Sequence, residues 1–406
     1  MAGAAIAAII ASEYNSAMDA VSWSMRSLIC AAPGSRLLAA DFANIEGRML
    51  AWLAGEQWKL QAFRAYDAGD GPDLYKVAAG KILGIEPGDV SKPQRQLIGK
   101  PAELGLGYGG GPGAILTMMK NGAVIPWLRR DGPSPKKVTL DDIAGAVREA
   151  VSPRIWADAA SLYARGALES AAEVLEARRL KALAAVEAGA TDADLAEDPD
   201  ALLNLAAAIA RKNRLGLAAD HWTGLRVIVD LWRQSNFAIA RFWRDLEDAA
   251  VAAIENPGTI QAAGPHIKYC KKGDFLYCRL PSGRMLSYPY ARLRYPEGDS
   301  NWRRPRIIYD GIDPYTKKWG EQEIYGGLLS ENVTQAAARD VLRDALLRLR
   351  AAGYRVVMHV HDEIVCEMPN GKGSLSEMSA LMATVPEWAR GTPIAVDGWE
   401  GKRYRK

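Results

Sequence analysis

The stretch Val356-Val-Met-His-Val-His-Asp-Glu-Ile-Val-Cys-Glu367 places the tightest constraint on the fold. Two runs rich in β-branched residues flank the polar triplet His361-Asp362-Glu363, and such residues suit a pleated, half-buried surface. The pattern predicts a β-hairpin with acids at its turn. Carboxylates in so apolar a setting cost several kcal/mol unless they are paired or bound to metal. Asp362 is therefore expected to be a metal ligand, while Glu363 is open between a ligand and a structural partner.

A second acid has a similar setting. Arg36-Leu37-Leu38-Ala39-Ala40 reads as a strand ending at Asp41, and a helical pattern follows with Ile45, Met49, Trp52 and Leu53 on one apolar face. Glu46 and Arg48 fall off that stripe. A carboxylate at a strand end is positioned by the backbone behind it, so Asp41 reads as placed and not merely solvated.

Residues 94–120 form a third block, a helical segment stopped by Gly107-Tyr-Gly-Gly-Gly-Pro-Gly113. Lys100, Leu104 and Tyr108 recur every four residues, which puts them on one helical face. Gly105-Leu-Gly107-Tyr-Gly109 is no dinucleotide fingerprint, because it ends a helix where that motif follows a strand and opens one. A phosphate-binding Gly-x-x-x-x-Gly-Lys-Ser/Thr loop is absent from the sequence.

Elsewhere the chain organises into recognisable stretches. Residues 134–217 are rich in Ala, Glu, Asp, Arg and Leu, as a helical insertion would be. Residues 227–254 read as an amphipathic helix pair whose Trp232, Trp243 and Leu246 pack a core. Residues 257–330 alternate short apolar runs with Gly and Pro, as in Leu280-Pro-Ser-Gly-Arg284, and predict β-hairpins. A helix over 335–352 then feeds a strand at 355–360. With 406 residues, 49% of them hydrophobic, the chain can bury the cores of two or three domains.

A net charge of +3 announces no particular partner, but twelve Lys/Arg stand against five Asp/Glu between His266 and Lys318. That excess is a candidate phosphate-facing surface or a solvated basic loop. Four cysteines without a Cys-x-x-Cys pair suit a reduced compartment. Residues 2–11 are apolar but short and without a preceding basic residue, so they read as a helix start and not as a signal. No run reaches the roughly 18 to 20 apolar residues that span a bilayer, and no membrane partner is expected.

Two chemistries compete for the acids. One is metal binding by Asp362 in the hairpin turn. The other is a hydrolase using His359 and His361, which would share one face of a strand. Only His221 and His266 remain to complete such a site, and neither stands in a ligand motif.

Taken in order, the three blocks resemble the family A DNA polymerases, the class of bacterial DNA polymerase I, and in particular their phage-encoded members. Asp41-Phe-Ala-Asn-Ile-Glu-Gly-Arg48 looks like the family's first palm motif. Lys100 to Gly109 looks like its fingers helix, and His361-Asp362-Glu363 like its second palm motif. Leu280-Pro-Ser-Gly-Arg284, Tyr325-Gly-Gly and Glu331-Asn-Val-Thr-Gln335 resemble further segments of the phage-type enzymes.

The resemblance implies an α+β fold: a polymerase palm on an antiparallel sheet, α-helical fingers and an inserted helical subdomain. The expected segments are 1–90, palm with the first catalytic motif; 91–133, the fingers helix region; and 134–217, the Ala-rich insertion. Residues 218–330 would be connecting helices and hairpins, and 331–406 palm with the second motif.

It further implies that Asp41 and Asp362 share two magnesium ions about 3.5 to 4 Å apart, with the Phe42 main-chain carbonyl as another ligand. Such ions activate the primer 3′-hydroxyl and neutralise the triphosphate and departing pyrophosphate. Lys100 would contact the triphosphate and protonate the leaving group, and Tyr108 would stack near the templating base. Glu46 would collide with a ribose 2′-hydroxyl. Arg48, Gln335, His361 and Glu363 would support the site or touch the minor groove.

Some positions depart from the family pattern. An arginine is expected four residues before the fingers lysine, where Gln96 stands; Arg95 lies one position further back, a helical step of about 100° away. Its long side chain is still expected to reach a phosphate. Leu104 replaces an aromatic beside the sugar. Pro101 lacks a backbone donor, so the helix is expected to start near Lys100.

The implied partners are primer-template DNA and dNTPs. About forty residues precede Asp41, so a separate chain supplying the thumb or exonuclease is expected too. The implied location is the cytoplasm of a bacterium, whether its own or a phage host. The alternative is a fragment that binds DNA but is inactive alone.

Overall fold

The computed structural model describes residues 28–120, 140–187, 216–295, 304–314 and 316–404, together with Met25. It is an α+β chain of helices and antiparallel sheets. The helix start read at residues 2–11, and residues 134–139 and 188–215 of the Ala-rich segment, lie outside the described residues. The chain divides into two compact units. One comprises Met1–Leu60, Asp245–Tyr325 and Leu329–Lys406, and the other Gln61–Arg244 and Gly326–Leu328.

In the first unit, β1 (Ser35–Phe42) turns through Ala43 and Asn44 into α1 (Ile45–Ala54). The strand runs one residue past the expected end at Asp41. Helix α1 buries Ile45, Met49, Trp52 and Leu53, the stripe its spacing predicts. Arg48 corrects the reading that put it off that stripe, for it is only 1% exposed. Its Nε donates to the Ala43 carbonyl at 2.7 Å. The guanidinium thus folds back over the corner between strand and helix, where Asn44 takes a left-handed φ of 51°.

The chain continues through α2 (Gln57–Asp67) and α3 (Leu74–Leu83). Asp73 caps α3, accepting from the N–H groups of Tyr75 at 3.0 Å and Lys76 at 3.3 Å. A short α4 (Lys92–Gln94) then passes into a π-turn over Arg95–Gly99 and on into α5 (Lys100–Leu106). The π-turn is closed by the Lys100 N–H on the Arg95 carbonyl. Its cause lies one residue on: Pro101 has no N–H to give and its ring crowds the carbonyl four residues back, a clash that a wider turn absorbs. Helix α5 starts at Lys100, as expected from that proline.

Among the described residues there follow α6 (Pro112–Lys120), α7 (Leu140–Ala150), α8 (Pro153–Glu187) and α9 (Ala219–Ser235), before α10 (Phe237–Glu255) leads onward. The helix pair expected over 227–254 is α9 and α10, with Trp232 and Leu246 buried. Trp243 is only half-buried.

Returning to the first unit, β2 (Gln261–Ala263), β3 (Ile267–Lys272), β4 (Phe275–Arg279) and β5 (Met285–Pro289) form one antiparallel sheet. Another is formed by β6 (Arg292–Arg294), β7 (Arg306–Ile312) and β8 (Trp319–Ile324). These are the predicted hairpins. Helix α11 (Gly326–Ala351) begins well before the expected Gln335. Its first turns hold Gly, Ser, Asn and Thr, weak helix formers, and are anchored by the fully buried Leu329 and Val333.

Strands β9 (Val356–Val360) and β10 (Glu363–Pro369) make the predicted hairpin, followed by α12 (Leu375–Ala383) and β11 (Val396–Gly401). A third sheet has the order β11-β1-β10-β9, with α12 packed over β1 and β11.

Gly99 marks a close approach of backbones within the second unit: a Cβ there would lie 1.9 Å from the Tyr75 carbonyl oxygen. Gly99→Ala is expected to force α3 from the π-turn and to destabilise by about 1–3 kcal/mol, the usual range for overpacking. Thermal unfolding of the variant beside the parent chain measures it.

Candidate active site

The site is built on the antiparallel register of the third sheet. Asp41 lies opposite Glu363 of β10 on one side and Asp397 of β11 on the other. Directly opposed residues of antiparallel strands share a face, so these three acids form a row across it. Further along the same face Leu37, Ala39, Val365 and Tyr404 form an apolar cluster, with Met358 and Trp399 packed against it. The opposite face, through Ala40 and Gly398, is covered by α12: a Cβ on Gly398 would meet Leu375 at 2.8 Å.

Asp362 occupies the two-residue turn between β9 and β10, closed by the pairing of Val360 with Glu363. His361 takes a left-handed φ of 53°, as tight hairpin turns require. The Phe42 N–H donates to the Asp362 carbonyl at 3.3 Å. Asp41 and Asp362, from distant parts of the sequence, are thereby brought onto neighbouring strand ends.

Each acid has its own surroundings. Glu363 is 2% exposed and accepts a short hydrogen bond from the Tyr404 hydroxyl. Asp362 and Asp41 are half-buried, and Asp397 is exposed. Beside them the buried Arg48 fixes the Ala43 carbonyl. His361 is exposed in the turn and not on the strand. That corrects the His-x-His reading, since His359 sits on β9 and the left-handed turn takes His361 off the alternation that would have aligned the rings. His266 stacks on Trp52 with ring centroids 3.9 Å apart, and burial lowers its pKa. His221 faces Asp141 at 2.6 Å. Burial pushes the thiols of Cys278 and Cys366 up to about 12, so they stay neutral and are poor metal ligands.

Glu46 is exposed on the first turn of α1. Glu331 of α11 lies near it: burial first, and then the Glu46 charge, raise the Glu331 pKa. Gln335, one turn on, donates to Glu331 Oε1 at 3.4 Å. Asn332 donates to the buried Tyr288 hydroxyl at 3.1 Å. The Leu280–Arg284 turn is fastened to the same helix. There Arg284 donates to Asp340 Oδ1 and to the Ala336 carbonyl, both at 2.7 Å, and Ser282 also donates to Asp340, which is 2% exposed.

The remaining candidates, Arg95, Lys100, Leu104 and Tyr108, belong to the second unit. Lys100 is half-buried and Leu104 is 43% exposed, one helical turn apart on α5. Tyr108 lies beyond the end of α5 at Leu106, which corrects its assignment to the helical face. The glycines around it permit that early stop. Arg95 is held by Asp73, its Nε lying 3.0 and 2.9 Å from the two carboxylate oxygens, with its guanidinium 5.0 Å from the Tyr75 ring centroid. Burial, with Glu103 next, raises the Tyr75 pKa.

Sequence reasoning missed how the turn around Tyr108 is held. Trp243 donates to the Gly107 carbonyl at 2.9 Å, and Arg233 to the Gly110 carbonyl at 3.1 Å. Trp232 donates to Glu103 at 2.8 Å and stacks on Trp243. Asp397 and Glu331 were missed as well. No local pattern marks Asp397, because only strand pairing sets it beside Asp41.

Over 384 residues, 94% of its length, the chain is 29% identical to a DNA polymerase of Bacillus phage SP02. Over 85 residues it is 35% identical to DNA polymerase I of Chloroflexus aurantiacus and 38% identical to that of Pseudomonas aeruginosa. Among solved structures it is similar to the POL domain of Pol1 from M. smegmatis in complex with DNA primer-template and dNTP. That likeness has a TM-score of 0.46 at 15% identity and covers 93% of this chain and 42% of that one. No family model matches. The chain spans 43% of the phage protein and under a tenth of each bacterial one.

The chain is thus similar over most of its length to a phage DNA polymerase and over a shorter stretch to bacterial DNA polymerase I.

The Glu331 carboxyl gives a readout of this cluster. Its charged form is disfavoured in the fold, so the cost is present above its raised pKa and absent at pH values where both folded and unfolded chains hold the proton. Glu331→Gln is expected to unfold at a higher temperature than the parent chain at pH 8. The difference should close as the pH falls below about 4, the ordinary carboxyl range.

Proposed function

We propose that the chain is the catalytic core of a template-directed DNA polymerase, adding deoxynucleotides to a primer 3′-hydroxyl. The observation that supports this reading is the β1–β10 register, which pairs Asp41 with Glu363, together with the hydrogen bond from the Phe42 N–H to the Asp362 carbonyl. The long similarity to a phage DNA polymerase supports it.

The residues fit magnesium. Among the described residues no group of three or more His, Cys, Asp or Glu could hold a metal ion. A site of two carboxylates and a backbone carbonyl suits a cation that prefers hard oxygen and completes its shell with water and substrate phosphate. Asp41, Asp362 and the Phe42 carbonyl would hold it. Magnesium held there would supply activation of the 3′-hydroxyl and neutralisation of the triphosphate. The chain's own contribution is placement. The hairpin turn and the β1 corner fix both carboxylates, Arg48 secures the corner, and Tyr404 keeps Glu363 out of competition for the metal.

For Lys100 the proposed role is contact with the triphosphate and proton donation to pyrophosphate, and for Tyr108 stacking on the nascent pair. Arg95 lies one π-turn before Lys100, which offsets its extra position in the sequence, and Leu104 lines the same helix. Glu46, backed by Glu331, would exclude a ribose 2′-hydroxyl. Gln335 and His361 would touch the minor groove. The partners in this reading are primer-template DNA, dNTPs and a separate chain supplying thumb or exonuclease functions. The setting is the cytoplasm of a bacterium or phage host. Among the described residues no helix is long and apolar enough to cross a membrane.

Asp41→Asn and Asp362→Asn are each expected to lower magnesium-dependent primer extension by at least about a hundredfold while unfolding like the parent chain. Full extension in either would overturn the assignment. If the parent chain itself shows no incorporation at low salt, the chain is a DNA-binding fragment inactive alone. Glu46→Ala is expected to incorporate ribonucleotides in competition with dNTPs, and unchanged sugar discrimination would remove the gate.

A further inference from the structure

The basic stretch between His266 and Lys318 separates into two parts. Five of its arginines are tied up by carboxylates: Arg284 by Asp340, Arg292 by Asp310 and Glu321, Arg294 by Glu321, Arg304 by Asp248 and Arg306 by Glu323. On the β2–β5 sheet the pattern differs. Lys268, Lys272 and Arg279 are exposed, and among the described residues no carboxylate forms an ion pair with them.

Their positions follow from the strand register. Lys268 of β3 lies directly opposite Arg279 of β4, and Lys272 opposite Phe275. Alternation puts Tyr277 on the same face, between Phe275 and Arg279. The opposite face is the buried one, through Ile267, Tyr269, Leu276 and Cys278. Like charges directly opposed on a ladder destabilise it. The Lys268–Arg279 pair is therefore maintained without an ion-pairing acid among the described residues, and an anion from outside would supply the compensation.

Beside this cationic pair run two stacked aromatics. The Phe275 and Tyr277 rings lie 5.8 Å apart at 23°, with Phe275 37% exposed. Flat, accessible rings flanked by cations suit a polyanion whose bases are unpaired, because bases stacked within a duplex offer no free face. Lys268 and Lys272 stand about 13 Å apart along β3, four residues of extended strand, so the track is longer than a single phosphate. Asp274, in the turn between β3 and β4, bounds it at one end.

We infer that the exposed face of β3 and β4 binds single-stranded DNA, with Lys268, Arg279 and Lys272 on phosphates and Phe275 and Tyr277 under bases. This site lies on a different sheet from Asp41 and Asp362. It rests on the polymerase reading only for the choice of DNA over RNA.

The test is fluorescence anisotropy of a labelled oligo-dT with the full chain, titrated across salt in buffer free of magnesium and dNTPs. The K268Q/K272Q/R279Q variant is expected to reduce the log–log salt slope by about two, as loss of three single-strand phosphate contacts requires. F275A is expected to weaken binding at least about fivefold, the smallest change for one stacked base. Circular dichroism melting confirms that each variant is folded. An unchanged slope and affinity in the triple variant would overturn the site. A reduced slope with unaltered F275A would overturn the single-stranded assignment in favour of backbone contacts alone, and tighter binding of oligo-rU than oligo-dT would overturn DNA as the ligand. Because binding is read without nucleotides or metal, a failure of primer extension leaves this result intact, and the converse holds.

Discussion

Everything at the acid site depends on the pairing of β1 with β10. A strand's side chains alternate between two faces, so a slip of one residue would send Asp41 to the α12 side and bring Ala40 into its place. The register is held by what it buries. Leu37, Ala39 and Val365 must meet on one face and Ala40 must meet α12 on the other, and only one alignment satisfies both. The positions of the acids are thus enforced by apolar residues that take no part in chemistry. The two-residue turn at His361-Asp362 adds the final restraint, because its brevity leaves Asp362 little freedom relative to β10.

Around this sheet, polar groups are buried where geometry has to be fixed. Arg48, Asp340 and Glu363 are each about 2% exposed or less, and each has a partner at a place where the chain changes direction. Arg48 holds the β1–α1 corner, Asp340 holds the Leu280–Arg284 turn against α11, and Glu363 is held through Tyr404. Burying such groups carries a desolvation cost that hydrophobic replacements would avoid. In return, corners and turns become as defined as the packed strands. The second unit uses the same device with neutral donors, the indoles of Trp232 and Trp243.

The legible parts of the sequence were those governed by local pattern. Alternation exposed the β9–β10 hairpin, helical spacing exposed α1, α9 and α10, and Pro101 announced where α5 begins. What stayed hidden depended on partners far away in sequence. Arg48 looked like surface because a charged residue off the apolar stripe normally is, and the Ala43 carbonyl that receives it is visible only once the corner is folded. Tyr108 kept the helical spacing of Lys100 and Leu104, yet the glycines release the chain before the turn is complete. Asp397 has no motif, and Glu331 acquires its significance from Glu46 across the fold. The alternative that aligned His361 with His359 failed because a two-residue turn breaks the alternation it relied on.

The strand order β11-β1-β10-β9 also bears on how the molecule comes into being. During synthesis β1 emerges before the helices of the second unit, while both of its neighbours emerge after them. Until they arrive, its apolar residues and both rows of backbone hydrogen-bonding groups have no native partner, the condition under which strand edges invite aggregation. Closing so long a loop is entropically slow, and topology of this kind delays folding more than it weakens the product. The row of acids therefore cannot form until β10 and β11 have been made. A chain halted before β10 would hold the helical segments but neither partner of β1, and so no row of acids.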